Sequence, residues 1–534
     1  MEFISKSKII FSIIKHWFLK KKIMKKYLLV LGLCTITSFI VSCSDFLDED
    51  IETFYTEDQI FATEAGLETA VTGLYQSFAA PGYHGSSIHH LATTLSGKFY
   101  SNQGASEDAT SLNCLPNNTW LTRMWPQMYA TVNVANTIIL NMETSTLPNR
   151  DFALGQAYLI RAATYFDLVR YFGDVPIKTI PSDINNLNTP RSPKEEVYEL
   201  IIADFEKAKT LLPGPGEYLE GRPVKTAANA FLAKVYLTLA SESGDLALWQ
   251  QAYDEAIQVV GEYSLTTTYA ELFDLSNENN SESIFEIQYG PNGAERNSDV
   301  IRAYTLKDLY DYDTFGRIRP NKEVYDQHVN QYPNDPRIEA TFFANSYTKF
   351  NGANQNIYPT QSGGGNAFTA LKKYLDPNFN GSTTSRNFYK LRYADVLLML
   401  AEITNELNGP TTEAYGYVNE VLARARTTAT GVSAEPADFA GLTQSEFRTR
   451  ILRERQYEML GENHEWFDTR RRGYQYFLEE VIYTHNNHPT LDVGGNNSKD
   501  YIYPVSVKNM LMPIPSTELS NNTQISQADQ NPGY

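Results

Sequence analysis

Apolar residues recur every three to four positions through most of this chain, a period that commits it to helices packed on helices. Tyr158, Ala162, Tyr165, Phe166, Val169 and Phe172 share one stripe of a helix over Ala157–Phe172, which must stop at Gly173 with Pro176 beyond it. A second unit joins Ala227–Ala240 to Leu248–Val260 through a hinge at Ser241–Asp245. Its Trp249, Ala252, Tyr253, Ala256, Ile257 and Val260 follow helical spacing. A third sets Tyr393, Val396, Leu397, Leu400, Ile403 and Leu407 against Ala414, Tyr417, Val418, Val421, Leu422 and Ala425, around a break at Gly409-Pro410.

Each pair spans about 34 residues, with small alanines where two helices must approach, which is the geometry of tetratricopeptide-like repeats. An irregular helical bundle is the alternative. Strand alternation is rare: Phe285, Ile287 and Tyr289 against Glu286 and Gln288 predict a strand over Ser283–Tyr289. Between the pairs lie three long segments rich in Gly, Asn, Ser, Thr and aromatics: Pro81–Trp120, Gly290–Pro320 and Phe342–Arg386. Insertions of that length are where binding surfaces tend to sit. The fold class expected is mostly α, a helix-pair superhelix carrying a loop-rich, irregular ligand-binding half.

The 534 residues are 42% hydrophobic and 20% charged, values that exclude wholesale disorder and a polytopic membrane protein. The formal charge of −18 is unevenly spread. Residues 1–42 hold eight lysines and one acid, so the other 492 residues carry −25. A body so acidic repels phosphate backbones and anionic lipid, and neutral ligands fit it better.

At the amino terminus Lys25 and Lys26 precede the apolar run Tyr27–Val41, which ends at Ile40-Val41-Ser42-Cys43. The run is short for a membrane span and reads as a secretory signal. Its end resembles the bacterial lipobox, in which Cys43 takes the lipid and becomes the first mature residue. Cys34 leaves with the signal, so Cys114 has no partner within one mature chain. An uncleaved anchor or a lone buried cysteine is the alternative. Met24 is the expected start, and residues 1–42 are set aside as a signal region, leaving 43–534 as a single domain. The acidic Ser44-Asp45-Phe46-Leu47-Asp48-Glu49-Asp50 reads as a solvated tether. Similar residues follow the lipidated cysteine in Bacteroidetes lipoproteins exported to the outer face of the outer membrane.

Thr443-Gln444-Ser445-Glu446 is a capping box that opens a helix to about Leu460. Beyond it, His464-Glu465 lacks a second histidine four residues on, where Asp468 stands, so no zinc site is expected. Asp311-Tyr312-Asp313 is too sparse for a calcium cage, and no cofactor is implied. Arg470-Arg471-Arg472 lies among carboxylates and predicts ion pairing rather than a phosphate patch.

The stretches Arg453-Glu454-Arg455-Gln456-Tyr457-Glu458 and Glu462-Asn463-His464-Glu465-Trp466-Phe467-Asp468-Thr469-Arg470-Arg471 closely resemble a signature of the SusD/RagB family, the surface glycan- or nutrient-binding lipoproteins of Bacteroidetes. Arg161–Pro176, Leu391–Glu402, Met512-Pro513-Ile514-Pro515 and Gln530–Tyr534 look like the same family. Asn463 and Asn405 depart from its usual pattern. The resemblance covers the mature chain and implies a tetratricopeptide-like scaffold, a lipid anchor in the outer membrane, and a SusC-like TonB-dependent transporter as partner.

A receptor for a neutral oligosaccharide needs rings for its C–H faces and amides or charged groups for its hydroxyls. Glycan-binding members of the family are similar, drawing aromatics from the loop after the first helix and from a later one. Candidates in the first segment are Tyr83, His84, Phe99, Tyr100, Asn102 and Trp120, with Trp120 foremost. Those in the second are Tyr304, Tyr310, Tyr312 and Arg317. Trp125, Trp249 and Trp466 occupy helical or motif positions and are assigned to the core. No nucleophile elbow, metal-ligand spacing or phosphate loop is present, so a non-catalytic binder is expected. A surface glycoside hydrolase and a protein-interaction scaffold are the alternatives. Incorporation of a fatty-acid probe should occur in the wild type and vanish in Cys43→Ala; equal labelling would refute lipidation.

Overall fold

The helices form as pairs. In the computed structural model α1 (Glu64–Phe78), α2 (Thr119–Met142), α3 (Arg150–Phe172), α4 (Lys194–Leu211), α5 (Lys225–Ser243) and α6 (Leu246–Ala256) pack each on the next. After a long excursion α7 (Tyr393–Asn408) and α8 (Thr412–Arg426) form the third pair. It stacks on the second, because α7 packs against α6. Then α9 (Gln444–Met459) lies on α7, followed by the short α10 (Glu465–Arg470). The structure describes residues 56–534 apart from 218–220, 291–297, 313, 380, 382 and 494–499. Cys43 and the signal region lie outside them. Residues Ile60–Tyr534 make one unit. Of the other, Met1–Gln59, the described end is a turn in which Thr56 and Gln59 bond each other's amides.

Local signals account for the ends of these helices. Gly173 stops α3 with φ at 71°, a left-handed value that suits glycine. Asp245 and Thr411 cap α6 and α8, and Thr443 with Glu446 closes the expected capping box on α9. The stripe on α6 ends early: past Ala256 the chain tightens into a 3₁₀ turn, and Val260 stands exposed. Helix α4, which lies outside the three expected pairs, buries Val197, Tyr198, Ile201, Phe205 and Ala208 at helical spacing. At Asn463 the chain has φ at 64°, which a glycine adopts freely and asparagine tolerates, so this departure from the family pattern keeps the same backbone.

Helix α3 is central, buried at every residue from Ala153 to Val169. Its buried charged residues are paired. Arg161 grips Asp204 of α4 through Nε at 2.7 Å and Nη2 at 2.8 Å. Asp167 receives Lys390 Nζ at 2.7 Å and Arg170 Nη2 at 2.6 Å. Trp125, Trp249 and Trp466 are buried.

The described strands are short antiparallel pairs. β2 (Ser283–Ile287) pairs with β4 (Phe388–Arg392), and β1 (Phe99–Ser101) with β3 (Ile318–Pro320) in the register Phe99–Pro320, Tyr100–Arg319, Ser101–Ile318. Strand β4 runs straight into α7, leaving Arg392 at the junction.

Around Arg392 the family-like stretches meet in a buried ion network. Arg392 bonds Glu282, Glu458 and Glu462 at 2.8, 2.7 and 2.7 Å. Arg424 of α8 binds the same Glu282 at 2.6 Å, and Glu458 as well. Arg337 meets Asp335, Glu454 and Glu458 at 2.7, 2.7 and 3.1 Å, and Lys373 holds Glu462 at 2.8 Å. A second relay ties α5, α7, α9 and α10: Asp395 lies between Lys234 at 2.6 Å and Arg455 at 2.8 Å, and Arg455 and Arg471 each contact Asp468 at 3.0 Å. The ion pairing expected of the arginine run holds at Arg471, bound to Glu402, and at Arg472, beside Glu406. It fails at Arg470, whose guanidinium stacks on Trp466 and donates to the carbonyls of Asn509 and Leu95 instead.

Burial by itself would raise the Glu458 carboxyl, but Arg424, Arg392 and Arg337 outweigh it and hold it at about 2. A depressed carboxyl lends stability above its unfolded value near 4.5, and loses it as pH falls through the folded value. Glu458→Gln should therefore cost about 3 kcal/mol or more at pH 7, because three guanidinium groups lose their shared anion. In urea titrations the gap from wild type should narrow between pH 5 and pH 2; a gap constant with pH would refute the assignment.

Candidate functional site

The first half of the first long segment does not lie on the surface. After α1 the chain turns at Pro81 and threads inward, and residues 83–101 are all buried. Tyr83 Oη donates to Asp167 at 2.5 Å, and His84 packs on Phe78 and Tyr83. Tyr100 stacks on Phe368, centroids 4.2 Å apart. Phe99 pairs in β1, and Tyr304 packs against both His89 and Phe99. Contact with a ligand, expected for Tyr83, His84, Phe99, Tyr100 and Tyr304, is corrected to a packing role. Their rings fill the space between the helical scaffold and the second and third segments.

Trp120 is buried as well, at 8% exposure. Asn118 caps α2 by accepting the N–H groups of Trp120 and Leu121, which fixes Trp120 in the first helical turn. There its ring stacks on His90, centroids 4.3 Å apart and 12° from parallel, with the exposed Arg123 at 5.4 Å. Its Nε1 has no hydrogen-bond partner, and neither ring nitrogen of His90 has one.

The second segment reaches this spot from the other side of the sequence. The Asp299 N–H donates to the Gly85 carbonyl at 2.9 Å. Its carboxylate accepts from Ser86 Oγ at 3.3 Å and stands 3.7 Å from His90 Nε2 and 3.9 Å from Arg302. Burial pulls the His90 pKa down more than Asp299 raises it, so the imidazole is neutral at pH 7. The Phe315 N–H closes back on the Arg302 carbonyl at 3.1 Å. Both Arg302, at 4.6 Å, and Arg317, at 3.9 Å, lie over the Phe315 ring. The Arg317 carbonyl then accepts the Asn102 N–H at 3.0 Å, extending the β1–β3 pairing by one step. Asn102, Arg317, Phe315, Arg302, Asp299, His90 and Trp120 thus form one continuous row.

Tyr310 and Tyr312 form a neighbouring group with Phe379 of the third segment, centroids 5.8 and 6.2 Å away. Gly381, at φ +98°, passes so close to Tyr312 that a Cβ there would sit 2.8 Å from the ring. Tyr312 is 52% exposed, Asn102 is exposed, and Tyr310 and Arg317 are half-buried. Of the candidates, these four reach solvent. Asp313 lies outside the described residues. His90, Arg123, Asp299, Arg302, Phe315 and Phe379 go unnoticed in the sequence, although Asp299 and Arg302 show a three-residue spacing. A separate cleft of about 350 Å³, lined by Arg170, Tyr198, Glu242, Phe467, Arg472 and Leu511 among others, shares no residue with this row.

The pairing of helices and the insertions between them define a superhelical scaffold with a loop-built face. The model of the SusD family matches residues 250–534, and a second, described as starch-binding associating with outer membrane, matches residues 45–237. SusD-like protein P2 of Formosa agariphila is 30% identical over 96% of this chain and 100% of its own length. A SusD homolog from Bacteroides thetaiotaomicron superposes with a TM-score of 0.74 at 22% identity, covering 90% of this chain and 99% of that one. A laminarin-binding SusD-like protein superposes with a TM-score of 0.65 at 22% identity, covering 88% and 100%. The chain belongs to the SusD family.

The packing role of the first segment is open to measurement. Tyr83→Phe should lower unfolding stability by roughly 1–3 kcal/mol, since it removes a buried hydrogen bond to a charged acceptor. It should leave the affinity for any oligosaccharide ligand unchanged. Loss of affinity without loss of stability would restore Tyr83 to the binding face.

Proposed function

We propose that the protein is an outer-membrane receptor, anchored through Cys43 and facing the cell exterior. In this reading it binds an oligosaccharide on the face formed by Tyr312, Phe315, Arg317, Asn102 and Asp299. It passes the ligand to a SusC-like TonB-dependent transporter and does no chemistry on it. The observation that carries the reading is the juxtaposition of solvent-reaching rings with guanidinium, amide and carboxylate groups where the second segment zips onto the first. Rings offer an apolar plane to the C–H face of a sugar, and the flanking groups bond its hydroxyls. The laminarin-binding neighbour and the family model described as starch-binding support a glycan as ligand. Asp299, already engaged by Ser86 and near Arg302, is suited to holding a hydroxyl rather than to cutting a glycosidic bond, which takes two carboxylates facing each other across it.

Screening the purified protein against oligosaccharide arrays, with product analysis of every binder, tests this. Binding without cleavage is expected, and Tyr312→Ala should weaken it about two- to twelvefold, the worth of one aromatic contact at about 0.5–1.5 kcal/mol. Turnover of any bound glycan would refute the reading.

A further inference from the structure

We infer that the oligosaccharide taken by this face is anionic, carrying carboxylate or sulfate groups. The inference rests on the glycan reading above and names the chemical class of the ligand. It begins from how this protein treats its arginines. Arg161, Arg337, Arg392, Arg424 and Arg471 are each buried against carboxylates at ordinary hydrogen-bond distance. Arg470, Arg319 and Arg386, also buried, donate to backbone carbonyls instead; Arg302 and Arg317 do neither. The carboxylate beside Arg302 is Asp299 at 3.9 Å, beyond hydrogen-bond reach, and Arg302 Nε is buried with no partner. The Arg317 guanidinium bonds no described residue and rests on the Phe315 ring alone. Arg123, by Trp120 in the same row, also meets no carboxylate among the described residues.

Two guanidinium groups, Arg302 and Arg317, thus share one carboxylate, Asp299, without a hydrogen bond to it. In a chain of net charge −18 there is no shortage of acids to pair them. Their lying over Phe315 has a geometric consequence. A guanidinium held against a ring keeps its N–H donors in its own plane, pointing past the ring edge. That edge matches the two oxygens of a carboxylate or sulfate, which planar donors bind in pairs. The neighbouring unpartnered Nε1 of Trp120 adds a further buried donor to the row. A neutral sugar satisfies such donors through single hydroxyls and leaves the positive charge uncompensated. An acidic residue within the oligosaccharide compensates both. The overall negative charge opposes this ligand at long range, yet at physiological salt fields are screened within about 8 Å, and the local excess decides.

Isothermal titration with four probes tests the inference: tetragalacturonic acid and a κ-carrageenan tetrasaccharide as anionic ligands, maltohexaose and cellohexaose as neutral ones. At least one anionic probe should bind, more weakly as NaCl rises from about 20 to 200 mM. Arg302→Gln with Arg317→Gln should weaken it about tenfold or more, with thermal melting confirming that the variant is folded. The paired lysine variant, which keeps charge but loses the planar fork, should fall between. Binding of neutral probes alone, or anionic binding indifferent to the glutamine substitutions, would overturn the anionic inference and leave the glycan reading standing. Silence toward all four probes and toward a broad glycan array would overturn both.

Discussion

Everything else in the fold hangs on the shared burial of Arg392, Arg424 and Arg337 with Glu282, Glu458 and Glu462. These side chains come from β4, α8, α9 and the connections around them, far apart in the sequence. Each ion taken out of water is costly, and only the full set of partners offsets that cost. The network therefore acts as a registration device, since a slip of α9 by one turn would strand several buried charges at once. It also explains what the family-like stretches are for. They keep the third helix pair and the irregular half in one fixed relation.

Much of the scaffold could be read directly. The stripes at Tyr158–Phe172, Trp249–Ala256 and Tyr393–Leu407, with Gly173, Asp245 and Thr443 as punctuation, carry their own geometry because helix formation is local. The face proposed to bind ligand was far less legible. Its residues are gathered by pairings such as Asn102 with Arg317 and Asp299 with Gly85, and no periodicity announces a contact across two hundred residues. Composition marked the first segment as a surface loop, yet aromatic, glycine-rich sequence serves equally well to fill a core between layers. Tyr83 and His84 illustrate this: the same rings that suit a sugar also suit Phe78 and Asp167. Tyr312 and Arg317 reached solvent because the chain around them returns upon itself within a few residues.

Charge taught a related lesson. The strongly acidic total favoured a neutral ligand, but a sum over hundreds of residues describes the far field only. At contact range the row from Trp120 to Asn102 is locally basic: its guanidinium groups lie on the rings of Trp120 and Phe315, and Arg302 stands 3.9 Å from Asp299 without bonding it.

The β1–β3 ribbon has one more consequence. It joins Phe99 to Pro320, so closing it encloses more than half of the helical scaffold in a single loop. Contacts between such distant segments form slowly, since a long stretch of chain must first be ordered between them. The ribbon under the proposed face therefore carries a larger loop-closure cost than any helix pair, whose partners are neighbours in sequence.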